Sequence, residues 1–131
     1  MIAMTELRAT YGYVLNDLPL FKVRAYNARG WSEYSLPNDE FAYIQTEPTQ
    51  MGPVERNAAT TDTEIVIDWN PLSNSENGDS TILAYNLQWD KGTSGTTWYD
   101  LYGVMPSETD TTFYLTSEIS PGSSYLFRVR A

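Results

Sequence analysis

The sequence predicts an all-β fold, an antiparallel sandwich of short strands, on three observations. Tyr, Trp, Val, Ile and Thr cluster in short runs that alternate apolar with polar residues. Gly, Pro, Asn and Asp separate these runs at intervals of about 8 to 12 residues, as in a sandwich built from hairpins. No long segment carries apolar residues at the 3.6-residue period of a helix.

The clearest strand is 63–69, in which Ile65, Ile67 and Trp69 share one face while Glu64, Val66 and Asp68 share the other. Asn70-Pro71 ends it, because proline donates no ladder hydrogen bond. The chain must reverse in 73–80, where Asn77-Gly78 supplies residues that tolerate positive φ. In the next run, 84–90, Tyr85, Leu87 and Trp89 point inward and Asn86, Gln88 and Asp90 outward. Lys91-Gly-Thr-Ser-Gly95 breaks that run. Segments 96–102, 111–115 and 124–131 read as three further strands, the last with Tyr125, Phe127, Val129 and Ala131 inward.

Residues 46–53, Thr-Glu-Pro-Thr-Gln-Met-Gly-Pro, read as a linker between two units. Upstream of it, Leu20-Phe-Lys-Val-Arg-Ala25 repeats Leu126-Phe-Arg-Val-Arg-Ala131 with five of six residues identical, Lys22 and Arg128 standing 106 residues apart. A period of that length is a whole sandwich domain. Residues 1–45 are then expected to be the last three strands of one domain, and 54–131 a second domain whose final strand is absent.

These residues resemble a fibronectin type III domain, an immunoglobulin-like antiparallel β-sandwich. The family pattern has an inward Trp on the second strand, an aromatic on the third, and a Leu-x-Pro-x-x-x-Tyr corner leading into a strand that ends Val-x-Ala. Here Trp69, Tyr85 and Ile119-Ser-Pro-Gly-Ser-Ser-Tyr125, running on to Val129 and Ala131, match it over about 48–131. Residues 21–35 resemble the family's sixth strand and the start of its seventh, although Pro19 stands where Tyr125 does in the later copy. Trp31-Ser-Glu-Tyr-Ser35 is similar to the W-S-x-W-S signature of cytokine receptors, with Tyr34 for the second Trp. The resemblance implies a ladder of cations on aromatic faces, with Lys22 and Arg24 against Trp31 and Tyr34 at ~0.5 to 2 kcal/mol per contact.

Composition removes most reaction chemistry. The chain has neither His nor Cys, so it offers no imidazole or thiolate for catalysis or zinc and no disulfide. Asp plus Glu number 17 against 8 Lys plus Arg, a net charge of −9. That balance argues against a grip on nucleic acid and against adhesion to anionic membranes. No apolar stretch reaches the ~18 residues of a membrane span, so membrane insertion is not expected. The 73–80 loop fails the D-x-[DN]-x-[DN]-G calcium spacing, and neither an N-glycosylation sequon nor Arg-Gly-Asp occurs. No cofactor is expected.

Trp69, Tyr85, Leu87 and Trp89 are core candidates. Trp98, Tyr99 and Tyr102 are the candidate partner or sugar-stacking surface. Tyr125, Phe127 and Val129 form a strand edge that invites pairing; either the next residues of a longer repeat protein complete the domain there, which is the favoured expectation, or residues near Trp31–Tyr43 of a neighbouring copy are the donor. The expected function is that of a non-enzymatic structural or adhesive module, extracellular or at the cell surface. Its expected partners are protein domains, above all neighbouring copies of the same repeat. A carbohydrate-binding accessory module and an intracellular cytoskeletal or ciliary scaffold are the alternatives.

Overall fold

The computed structural model describes residues 2–39, 42–104 and 106–131. The chain divides into two compact units, Met1–Thr46 and Glu47–Ala131. Taken together the described residues are predominantly β, and the strands of each unit pair antiparallel.

The first unit departs from three strands. It opens with helix α1, Met4–Tyr11, in which Met4, Glu6, Leu7, Arg8 and Ala9 are good helix formers. Gly12, at φ 74°, closes it in the left-handed conformation, its N–H donating to Arg8 O (3.1 Å) while Tyr13 N–H reaches back to Leu7 O (3.4 Å). Eight residues make only two turns, too few to display a helical period. Strands β1 (Tyr26–Asn27) and β2 (Gly30–Trp31) form a tight hairpin, with the Tyr26 and Trp31 rings 4.8 Å apart. Residues 20–25, expected as a regular strand, are bonded in a different way, described below.

The second unit contains two three-stranded antiparallel sheets. Strands β3 (Glu55–Arg56), β4 (Ile65–Asp68) and β7 (Thr112–Leu115) form one, in the order β3-β4-β7. Strands β5 (Asn86–Trp89), β6 (Tyr99–Tyr102) and β8 (Phe127–Arg130) form the other, in the order β6-β5-β8. One core joins them: Met51, Ile67, Trp69, Tyr85 and Leu87 are buried, with Val54, Ile65, Leu101, Phe113, Phe127 and Val129 packed against them. Trp69 meets Tyr85 edge-on at 6.2 Å and Tyr102 at 6.1 Å. Trp89 is buried beside Tyr125 and Phe127, with centroids at 5.4 and 6.3 Å. The four core candidates are thus all interior.

The reversal at 73–80 is a 3-10 turn over Asn74–Asn77, in which Ser73 and Glu76 form a capping box and Gly78 (φ 70°) terminates it. Three residues expected on solvent faces are buried. Val66 is 1% exposed behind the β4 backbone, whose N–H and C=O at that residue are both bonded by Thr60 Oγ1 (3.0 and 3.1 Å). Asn86 and Asp90 are buried because polar groups from other segments meet them. A bulge between Leu87 and Gln88 shifts the β5–β6 register, so that Leu101 and Tyr102 both turn toward the core. Gly103 permits this shift. At φ 79° it lies so close to β5 that a Cβ would sit 1.6 Å from Tyr85 O.

Candidate functional site

In the first unit, residues 21, 23 and 25 are bonded by 32, 35 and 38. Ser32 N–H donates to Ala25 O (2.9 Å), Ser35 N–H to Val23 O (2.8 Å) and Asn38 N–H to Phe21 O (3.2 Å). The return bonds come from the strand to side chains: Ala25 N–H to Ser32 Oγ (3.0 Å), Val23 N–H to Ser35 Oγ (3.0 Å), Phe21 N–H to Asn38 Oδ1 (2.7 Å). A strand turns the same edge outward every second residue, about 6.6 Å apart, and its partner matches that distance with three residues. The 32–38 segment therefore winds, and its side-chain oxygens replace backbone carbonyls. This is why 20–25 does not form the expected backbone ladder.

The same winding brings Trp31 and Tyr34 onto one side, where the Arg24 guanidinium lies 4.2 Å from the Trp31 ring and 4.7 Å from the Tyr34 ring. Three of the four ladder candidates thus come together. Lys22 stands over no ring among the described residues. The signal for the missed members was the spacing Ser32, Ser35, Asn38.

In the second unit, the outer face of β6-β5-β8 carries a polar lattice. Asp100 Oδ1 accepts from Asn86 Nδ2 (3.0 Å) and Gln88 Nε2 (2.8 Å). Arg128 Nε donates to Gln88 Oε1 (2.8 Å), and Arg130 Nε to Asn86 Oδ1 (3.1 Å). The side-chain donors Gln88 and Asn86, with the nearby arginines adding to them, hold the Asp100 carboxyl below its ordinary value. Trp98 belongs to this face, with the Arg128 guanidinium 4.2 Å from its ring.

Trp98, Tyr99 and Tyr102 do not share a platform. Tyr99 pairs with Trp89 across the strands and has Lys91 Nζ 5.1 Å from its ring. Tyr102 turns inward, 5.6 Å from Phe113, and its hydroxyl donates to Asp110 Oδ2 (2.9 Å). Burial first, and then that bond, push its phenol up to about 12. The bulge at Leu87/Gln88 is the physical reason that Tyr102 leaves the surface.

Asp90 organises the turn that follows β5. Its Oδ1 accepts the N–H of Leu126 (2.9 Å) and of Gly92 (3.0 Å), and its Oδ2 that of Gly95 (3.0 Å). These N–H donors, Leu126 foremost, hold the carboxyl below its usual range against the opposing effect of burial. Lys91, Gly92, Ser94 and Gly95 all take positive φ around it. Thr96 and Thr97, expected in a strand, belong to this turn. Beyond it, Tyr125 Oη accepts Ser120 N–H (2.9 Å).

Among the described residues, strand β8 has one neighbour, β5. Two open cavities, of about 620 and 680 Å³, include residues of β8 in their lining. The first is lined by residues 54–56, Ile65, Ile67 and 119–127 among others, the second by residues 50–54, 127–130 and the β5 residues Asn86 and Gln88. Both cavities share Val54 and Phe127 in their lining. Of the segment Trp31–Tyr43, residues 40 and 41 lie outside the described residues.

Among the described residues, no three carboxylates come together as a metal site, and no helix is long and apolar enough to cross a membrane. No protein-family model matches the chain, and no curated protein matches it.

Proposed function

We propose that the second unit is a fibronectin type III module and the first the C-terminal part of another, and that the chain works without catalysis, as a structural and adhesive element of a tandem-repeat surface protein. The repeated strand Leu-Phe-(Lys/Arg)-Val-Arg-Ala supports this reading. In each copy an arginine of that strand, Arg24 in one and Arg128 in the other, is stacked on exposed or half-buried aromatic rings. Arginine with Trp and Tyr on an open sheet face is the composition of protein contacts. Two antiparallel sheets over one core, with the Tyr125–Ser120 corner bond, support the family assignment.

The test is co-aggregation of beads coated with the chain, run beside a glycan array. The expected result is bead clustering at physiological salt, reduced by Arg24→Ala combined with Trp31→Ala, and no glycan binding. Dispersed beads together with glycan binding that Trp98→Ala removes would replace this reading with the carbohydrate one.

A further inference from the structure

Cations and carboxylates are sorted onto different surfaces of the chain. Residues 20–32 carry Lys22, Arg24 and Arg29 and no carboxylate, whereas the remainder has five cations against all 17 carboxylates. Lys22, Arg24 and Tyr26 stand two residues apart along one extended segment, so their side chains share one side. Trp31 and Tyr34 join them there through the Arg24 guanidinium, and Arg29 lies in the turn of the same hairpin. Lys22 and Arg29 are exposed, as are the rings of Tyr26 (66%), Trp31 (59%) and Tyr34 (57%). The sheet β3-β4-β7 of the second unit presents the opposite charge. Its register pairs Glu55 with Asp68, Val66 with Tyr114 and Asp68 with Thr112, and directly paired residues share a face, the one turned away from Ile65 and Ile67. Glu64, two residues before Val66, extends that face, while Arg56 pairs with Ile67 and belongs to the other. Asn57 Nδ2 (2.5 Å) and Thr112 Oγ1 (2.7 Å) donate to the Asp68 oxygens. Glu55 stands exposed directly opposite Asp68, a like-charge pair that repels.

We propose that these two surfaces bind each other between copies of this chain: the basic aromatic face around Lys22 and Arg29 of one copy docks on the acidic β3-β4-β7 face of a second copy. The inference rests on the contact-forming role proposed above and names its partner. Lys22 and Arg29 are the cations that reach across, to Glu55 and Glu64, while Arg24 stays in its stack with Trp31 and Tyr34. A cation beside Glu55 offsets its repulsion from Asp68, which a neutral partner would not do. Tyr114, 60% exposed beside Val66, offers its ring face to the same cations. At a net charge of −9 two copies otherwise repel, so they associate only where the sorted faces meet. Those faces are different surfaces, so the contact is heterologous.

Sedimentation of the 131-residue chain over a range of NaCl concentrations tests this. The expected result is self-association that weakens by about tenfold or more between roughly 50 and 500 mM NaCl, because salt screens exposed charges. A Lys22→Gln/Arg29→Gln chain and a Glu55→Gln/Glu64→Gln chain are each expected to be monomeric alone. Mixed, they should form a heterodimer, since each keeps the face that the other has lost, and that recovery also shows that both are folded. An unsubstituted chain that stays monomeric at about 1 mM in low salt overturns the proposal. So does association that ignores salt, or a pair of variants that associate alone or fail to recover on mixing. Bead clustering that persists with each variant alone removes this contact and leaves the adhesive reading, whereas heterodimers in solution without clustering of unsubstituted beads remove the adhesive role and leave the contact.

Discussion

Asp90 and Leu126 exchange two hydrogen bonds, only one of which runs from backbone to backbone: Asp90 N–H donates to Leu126 O, and Leu126 N–H returns to the Asp90 carboxylate. Ser35 and Val23 repeat that arrangement in the first unit, with a hydroxyl in place of the carboxylate. In both, a side-chain oxygen stands where a ladder carbonyl would be, and the chain gains the freedom to leave the strand path at that residue. At Asp90 it leaves into the 91–97 turn; at Ser35 it winds.

Asp90→Asn keeps the shape of the side chain but turns an NH2 group toward either Gly95 N–H or the Leu126 and Gly92 N–H groups. A donor then faces a donor in a buried place. The expected outcome is a Tm lowered by several degrees, with turn 91–97 losing amide protection before the rest of the second unit. The same carboxylate, together with Asp100, sets an acid limit. Both groups are held below 3.8, so below about pH 4 the unfolded chain binds more protons than the folded one. Stability is therefore full above that range and falls as pH drops through the folded values. Urea midpoints measured from pH 2 to 6 should show the fall, and Asp90→Asn should make it shallower.

Gly103→Ala combines a positive φ with a Cβ driven into Tyr85 O. Strand β6 must move off β5, breaking the bulge and the Asn86 Nδ2 bond to Tyr102 O (3.1 Å). A loss of about 3 kcal/mol or more is expected in chemical denaturation. Gly122→Ala is the control: it shares the positive φ, but nothing lies within 4 Å of its added Cβ, so it should cost less.

Tyr102 should titrate well above the ordinary phenol value. Its phenol ionises near 12 when folded, against 10 when unfolded, so above pH 10 the unfolded chain releases its proton first and stability falls as pH rises toward 12. Absorbance near 295 nm during an alkaline titration should show one delayed step, and Tyr102→Phe should remove it. If Tyr102→Phe leaves the alkaline end of the titration unchanged, the Tyr102–Asp110 bond does not hold that phenol.

Ser35→Ala removes one rung acceptor on an exposed strand. The expected stability change is about 0.5 to 1 kcal/mol, local to the first unit. Amide exchange should accelerate at Val23 while Ala25, held by Ser32, keeps most of its protection. Equal acceleration at both would mean that the rungs do not form separately.

Much of the second unit was legible in the sequence because strand alternation is a local signal. Tyr85, Leu87 and Trp89 alternate inward as their spacing requires. Asp90 and Asn86 follow the same alternation yet end buried, since what covers them is a Leu126 N–H and an Arg130 side chain some 40 residues away, outside any local window. Trp98, Tyr99 and Tyr102 looked like one surface because a bulge leaves no mark in the strand that contains it; Gly103 was its only trace. In the first unit, two turns of helix were too short to show a period. The Ser32-Ser35-Asn38 spacing was visible, but a period of three belongs to neither helix nor strand.

The rungs of the first unit also fix how it would yield to force. Asn16 N–H to Ile44 O and Ile44 N–H to Asp17 O, both at 3.0 Å, close a loop inside which the rungs 21/38, 23/35 and 25/32 follow in order. A pull on residues 16 and 44 meets these links in series, so they open in succession, as a zip does, and never share the load. Each released pair frees more chain, up to roughly 90 Å in all at about 3.4 Å per residue. Optical-trap traces of the first unit should show a low, stepped yield rather than a single rupture. A protein strung from such units would take up slack gradually under tension.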